Sequence, residues 1–264
     1  MTSVGFIGAG NMGFAIMKGI AQSGNDVMLC AYDKDASKLE RLKEHGVNPL
    51  LSESEAFEKC KYVFLAVKPQ QLDDVLDAVK NAVKDDSVIV SICAGITAEY
   101  IRTKTNENAR VVLVMPNTPL LLGEGATALS KAEGTTDEEF SFVCNIFGLC
   151  GEYAVVSPDK MKEIIAINGS SPAFIYLYAK AFIDYAKSVD IGEETATKLF
   201  AKTLIGSAKM ITDSGNTIEQ LIEMVSSKGG TTIEGLKKLR EGNLEETVAE
   251  CCRACTKRAY ELSK

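Results

Sequence analysis

Six residues, Gly8-Ala9-Gly10-Asn11-Met12-Gly13, stand directly after a short β-rich run, Val4-Gly5-Phe6-Ile7, and directly before a helical stretch. In a loop of this kind the first glycine makes the tight turn. The second lets a pyrophosphate approach the backbone, and the third lets helix pack on strand. The helix N-terminus then turns unpaired N–H groups and the positive end of its dipole toward the phosphates. An ordinary Gly-rich turn is the competing account, but the position between strand and helix predicts dinucleotide binding. An acid, Asp33, ends the next β-rich run 20 residues after Gly13, which is the spacing of a ribose-hydroxyl acceptor.

A carboxylate there favours NADH, because it repels a ribose 2′-phosphate. Lys34 and Lys38 lie close enough in sequence to undercut that preference, and Asp33 and Asp35 also stand where a helix begins. The expected cofactor is NAD(P)H, with NADH used at least as well as NADPH.

The rest of the first half repeats the alternation. Residues 4–7, 27–32, 62–67, 88–92, 111–114 and 124–129 read as strands, and residues 12–24, 36–45, 72–83 and 98–105 as helices. Such alternation predicts parallel strands with right-handed helical crossovers, a Rossmann-like doubly wound α/β sheet. From about Met161 the β-rich runs almost vanish, and residues 164–187, 193–212, 217–225, 231–240 and 244–262 read as helices. The boundary falls near Ser157-Pro158, giving a dinucleotide-binding domain of residues 1–157 and an all-helical domain of residues 158–264. Apolar stretches at 173–181 and 199–205 exceed what a lone helical layer buries, so these helices are expected to form the interface of an obligate dimer.

Several function classes are disfavoured. A net charge of −7 argues against sequence-independent nucleic-acid binding, which needs basic stripes. No stretch reaches the ~20 apolar residues that cross a bilayer, so no membrane role is expected. The first residues lack a basic region followed by an apolar run, so no secretory leader is expected and the location defaults to the cytoplasm. His45 is the only histidine, which weakens any hydrolase built on a histidine base. Of eight cysteines, Cys251, Cys252 and Cys255 cluster on a helical run. With no second pair they read as buried helix residues, and no metal is expected.

Three more loops follow predicted strands: Ala66-Val67-Lys68-Pro69, Cys93-Ala94-Gly95 and Met115-Pro116-Asn117-Thr118-Pro119. The carboxyl ends of strands are where ligands bind in doubly wound sheets. Lys68 offers a cation and Gly95 a close backbone approach to a nicotinamide, although Pro, Asn and Gly also suit plain turns. Later, Gly229 and Gly230 precede Thr231-Thr232-Ile233-Glu234. Thr231-x-x-Glu234 fits a capping box, with Thr231 capping the helix and Glu234 returning the bond. The same two glycines expose backbone donors suited to a small carboxylate, with the Thr232 hydroxyl one step beyond. Asn168-Gly169-Ser170 matches a glycosylation pattern that means nothing without a secretory leader.

Together these segments resemble the pyrroline-5-carboxylate reductase family. The resemblance is carried in order by residues 4–13, 66–69 and 115–119, by Gly169-Ser170-Ser171-Pro172-Ala173-Phe174, by Gly206-Ser207-Ala208-Lys209-Met210 and by Gly229-Gly230-Thr231-Thr232-Ile233. It implies reduction of the cyclic imine 1-pyrroline-5-carboxylate to L-proline, a helical domain that interleaves with a second subunit, and an active site formed at that interface in a homodimer or ring of dimers. By position it implies nucleotide binding by Ile7, Gly8, Ala9, Gly10, Asn11, Met12, Ala66, Val67, Lys68, Pro69, Ala94 and Gly95. The substrate carboxylate would sit on backbone donors of Gly229, Gly230 and Thr231, with the Thr232 hydroxyl on the ring nitrogen as the catalytic contact. One departure is Lys228, where the family usually has Pro. The competing readings are a reductase of another cyclic imine or of a β-hydroxy acid, for which Lys180 or Lys209 would have to move the proton, and a nucleotide-binding regulatory protein without catalysis.

Overall fold

The computed structural model describes residues 2–24 and 26–263. Among these, eight strands form one sheet: β1 (Thr2–Ile7), β2 (Val27–Tyr32), β3 (Asn48–Pro49), β4 (Tyr62–Leu65), β5 (Val88–Ser91), β6 (Arg110–Met115), β7 (Gly125–Lys131) and β8 (Gly151–Val155). Between them run α1 (Asn11–Gln22), α2 (Ser37–Lys43), α3 (Glu53–Lys59), α4 (Leu72–Val79), α5 (Ala98–Lys104) and α6 (Asp137–Gly148). The strand order is β3-β2-β1-β4-β5-β6-β7-β8. Pairing is parallel from β3 across to β6, as the helical crossovers require. β7 is antiparallel to β6, since residues 116–124 are too few for a crossover and hold only a 3₁₀ turn. β8 then returns parallel to β7 through α6.

Alternation along β1 divides the core. Val4 and Phe6 face the layer holding α1 and α6, where Phe6 stacks on Phe64 at 4.5 Å. Ile7 faces the other layer with Val63 and Leu65 of β4 and the buried face of α4, Leu72, Val75, Leu76 and Val79. Burial of each such side chain contributes about 1.5–3 kcal/mol, so the sheet edge that carries the loops is a rigid platform.

Helices α7 (Ser171–Ser188), α8 (Glu193–Asp213), α9 (Ile218–Met224), α10 (Thr231–Glu241) and α11 (Leu244–Leu262) follow. The expected helix from 164 begins instead with a π-turn, Ile165–Gly169, closed by Ser170 N–H donating to the Ile165 carbonyl at 2.8 Å. By compactness the chain forms one unit of residues 2–172 with 254–263 and another of 173–253. Residues 158–172 join the sheet because the Asn168 amide donates to the carbonyls of Met115 at 2.7 Å and Ala126 at 3.0 Å. That division lies beyond the change from strands to helices at Ser157-Pro158. Among the described residues, no helix is long and apolar enough to cross a membrane.

Candidate functional site

The strand order reverses between β1 and β4, and a crevice opens at the carboxyl ends of such a pair. Gly8 N–H donates to the Tyr32 carbonyl and Ala66 N–H to that of Ile7, both at 2.8 Å, so the first two loops are pinned to neighbouring strands. The three glycines differ in their reasons. Gly8 has φ +106°, and a Cβ there would lie 2.5 Å from the Ala66 carbonyl oxygen. A Cβ on Gly13 would collide with the Gly8 carbonyl oxygen. Gly10 has an ordinary φ of −66°, and a Cβ there meets nothing within 4 Å among the described residues. Packing within the chain explains Gly8 and Gly13, whereas no packing contact among the described residues requires glycine at 10, which leaves the approach to its backbone open. Gly10 is also the N-cap of α1 and has no side chain to satisfy the first-turn N–H groups. The loop therefore fits a pyrophosphate.

The peptide before Gly10 is held from both sides. Ala9 N–H donates to Asp33 Oδ2 at 2.7 Å, and the Ala9 carbonyl accepts from Arg41 Nη2 at 2.8 Å. Arg41 lies over the Phe14 ring at 4.3 Å, and Phe14 meets His45 edge-on. Asp33 also accepts from the Asp35 N–H at 2.9 Å and pairs with Lys38 Nζ at 3.1 Å. Burial pushes its carboxyl up, but these donors outweigh burial and hold it below the usual aspartate value.

Next to this loop is a cavity of about 310 Å³ lined by Ile7, Gly8, Gly10, Asp33, Ala66, Val67 and Lys68 among the expected residues, together with Tyr32, Lys34, Asp35, Lys38, Glu53, Gln71 and Val75. Ala9 is buried behind this wall, Asn11 opens α1, and Met12 packs on the core. Pro69 opens a 3₁₀ turn, Pro69–Gln71. Sequence reasoning missed Arg41, Tyr32, Glu53 and Gln71. Lys38 and Arg41, three apart on α2, are a pattern that marks one helix face.

At the next loop Gly95 has φ +77°, and its Cβ position faces the Ala259 carbonyl and Ser263 of the chain's last turn. A small cavity of about 40 Å³ lies beside it, lined by Cys93, Thr97, Met115, Met161 and Lys162. Cys93 Sγ donates to the Val67 carbonyl at 3.3 Å, tying this loop to the Lys68 loop, and burial pushes its thiol up to about 11. Asn117 is structural: its Oδ1 accepts from Ala126 N–H at 2.9 Å. Asn168 is buried by the bonds already described, which leaves no amide for a glycan.

In the helical unit the expected capping box does not form. Gly230, with φ −82° and ψ 165°, occupies the N-cap of α10, so Thr231 is already the first helical residue. Its hydroxyl is then misplaced for the third-residue N–H, unlike Thr217 and Thr136, which stand at true N-caps and do form boxes. Gly230 N–H is engaged with the Ser227 carbonyl at 2.9 Å, and Gly229 takes φ +76°. The uncapped first turn of α10 leaves N–H donors from Thr231 onward. Thr231 and Thr232 are both exposed, and Lys228 precedes them at the surface. Lys180 is paired with Asp184 on α7. Among the described residues no cluster of His, Cys, Asp or Glu could hold a metal ion.

Residues 158–262 match the family model for pyrroline-5-carboxylate reductase dimerisation, and residues 3–95 match that for coenzyme F420-dependent NADP oxidoreductase. The pyrroline-5-carboxylate reductase of Escherichia coli (strain K12) is 33% identical, over 99% of this chain and 98% of its own. Among solved structures, a pyrroline-5-carboxylate reductase from Coxiella burnetii superposes with a TM-score of 0.92 at 31% identity, covering 100% of this chain and 99% of that one. The Plasmodium falciparum pyrroline carboxylate reductase with NADP bound gives 0.90 at 28% identity, covering 100% and 98%.

Proposed function

Because the chain belongs to the pyrroline-5-carboxylate reductase family, we propose that it reduces 1-pyrroline-5-carboxylate to L-proline with NAD(P)H as hydride donor. The observation that supports this most is that each unit has a glycine-led helix start: one at Gly10, where a Cβ meets nothing within 4 Å among the described residues, and one at Gly230, where the first turn is left uncapped.

The bound nicotinamide supplies the hydride; the chain supplies position and charge. Residues of the first unit would hold the nucleotide: the Gly10–Met12 N–H groups would take the pyrophosphate, Lys68 would lend a cation, and Ala94 with Gly95 would leave room for the nicotinamide. The second unit holds the substrate. Its carboxylate lies on the α10 start, where Thr231 offers an N–H, Gly229 gives the turn its left-handed bend, and Gly230 keeps the approach clear while its own N–H closes the turn. The Thr232 hydroxyl hydrogen-bonds the ring nitrogen, orients it and relays a proton from water, since a threonine is too weak an acid to give up its own. Hydride reaches carbon and the proton reaches nitrogen, which needs no histidine. Lys228 adds a cation beside the carboxylate.

The functional species is a homodimer built on the helical unit, whose exposed apolar residues include Tyr176, Leu177, Leu199 and Ile205. The absence of a disulfide among the described cysteines suits a reducing cytoplasm. The test is steady-state oxidation of NADPH and of NADH with 1-pyrroline-5-carboxylate, with proline identified as the product. No turnover with either cofactor overturns the proposal.

A further inference from the structure

Two buried thiols, Cys30 and Cys60, come from different elements and meet over a glycine. Cys30 lies on β2 in register with Gly5 of β1, about 4.8 Å to one side and on the same face of the sheet. Cys60 ends α3. A Cβ placed on Gly5 would stand 3.1 Å from Cys60 Sγ and 3.3 Å from Cys60 Cβ. The missing side chain therefore leaves the space in which the two sulfurs meet, and their thiols are hydrogen-bonded. Closing to an S–S bond of ~2.05 Å from there is a movement of side chains.

The two sulfurs are not equivalent. The Cys60 S–H donates to Cys30, and this bond, helped by the Lys59 charge, outweighs burial and lowers the Cys30 thiol to about 7. The same bond and burial push Cys60 up. One thiol is thus poised as a nucleophile beside a neutral partner. By contrast, burial pushes the thiols of Cys93 and Cys150 up to about 11. The cover over the pair is thin. α3 has seven residues and buries Ala56 and Phe57, and β3, which flanks Cys30, is two residues long. Such an edge opens locally at less cost than the rest of the sheet.

We propose that Cys30 and Cys60 form a reversible redox site that reacts with hydrogen peroxide, Cys30 as the attacking thiol and Cys60 as the resolving one. The Cys30 sulfur attacks one peroxide oxygen, the O–O bond breaks, and the leaving hydroxide takes the thiol proton as water. Cys60 sulfur then displaces the hydroxyl of the Cys30 sulfenic acid, and a second water leaves as the disulfide forms. Overall the two thiols give up two electrons and two protons, and the peroxide becomes two waters.

The test is a peptide map of the folded protein after hydrogen peroxide, with remaining thiols alkylated before digestion. The Cys30 and Cys60 peptides should appear joined, about 2 Da lighter than their sum, and dithiothreitol should separate them. In Cys60→Ser, which lacks the resolving thiol, Cys30 should run on to the sulfinic acid. In Cys30→Ser, Cys60 should stay reduced. The wild-type map is decisive even where a serine variant folds poorly. A wild-type map with both thiols alkylated, with Cys30 as sulfinic acid, or with the joined peptide only after urea would overturn the proposal. Oxidation of Cys60 in Cys30→Ser as fast as in wild type would overturn the order of attack.

Discussion

Gly10→Ala separates what the glycine loop does for the fold from what it does for a ligand. The added methyl meets nothing within 4 Å among the described residues, and φ −66° with ψ −174° is open to alanine. Alanine is a poorer N-cap than glycine by less than about 1 kcal/mol. The lower entropy of its unfolded chain offsets roughly 0.4–1 kcal/mol of that. The net change in stability should stay within about 0.5 kcal/mol, or a shift in Tm below about 2 °C. Binding should respond differently. A methyl standing where the pyrophosphate approaches displaces it by about 1 Å, enough to stretch a good hydrogen bond past its limit of ~3.5 Å. Losing one bond from N–H to a charged oxygen costs about 1.5–3 kcal/mol, or roughly 10- to 140-fold in Kd. Calorimetric titration with NADP⁺ and a thermal melt without ligand measure the two quantities separately. Gly13→Ala is the control with the opposite pattern: its methyl strikes the Gly8 carbonyl oxygen and comes within 3.3 Å of Ala66 Cβ, which should destabilise by about 1–3 kcal/mol. Gly10→Ala protein that binds NADP⁺ like wild type, or that melts as early as Gly13→Ala, would refute the reasoning.

Thr232→Val deletes the hydroxyl and keeps the shape, so kcat/KM for the imine should fall roughly 10- to 100-fold while Tm and NADP⁺ affinity stay put. Thr231→Ala should leave stability within about 0.5 kcal/mol, because Gly230 and not Thr231 occupies the N-cap; a drop of 1 kcal/mol in urea unfolding would restore the capping box. Leu177→Asp, at a position 70% exposed in the single chain, should shift light scattering from dimer toward monomer with loss of activity, and an unchanged active dimer would exclude this face of α7 from the interface. Glu139, 3% exposed, accepts from Thr136 N–H at 3.2 Å and pairs with Lys61 at 3.1 Å and with Arg110. Burial pushes its carboxyl up, these partners more than reverse that, and its contribution is complete above the unfolded pKa and fades as pH falls through the lowered folded one. Glu139→Gln should therefore cost about 2 kcal/mol at neutral pH and progressively less in acid, since Lys61 and Arg110 can turn to water; a pH-independent difference in urea unfolding would contradict this.

The sheet was legible because its strands are buried on both faces and read as unbroken apolar runs between turn residues. Val88–Ser91 and Tyr62–Leu65 announce themselves in this way. Elements that escaped reading are short or lie in unexpected company. β3 is two residues long, and α3 buries only Ala56 and Phe57. α6 carries a capping box, Thr136 with Glu139, and a buried face of Phe140, Val143, Cys144 and Phe147, yet it follows a strand that runs against its neighbour, where no crossover is anticipated. The π-turn at Ile165–Gly169 leaves no periodic signature, because one inserted residue inside an apolar helical stretch does not alter its composition.

The site was legible where backbone does the binding and illegible where side chains support it. A glycine pattern states that the main chain must come close to something, but it does not say to what. Gly8 and Gly13 approach Ala66 and each other, and only Gly10 faces outward. Asp33 shows the same ambiguity in a charged residue. Its position in sequence fits a ribose acceptor, while its contacts, the Ala9 N–H above all, make it part of the loop it was expected to assist. Arg41 completes that loop from α2, and although its spacing from Lys38 marks a helix face, its partner is a carbonyl oxygen 32 residues away that no residue type announces. The part such an acid plays is therefore read from which of its polar atoms remain unengaged after folding, a property of the hydrogen-bond inventory rather than of residue type.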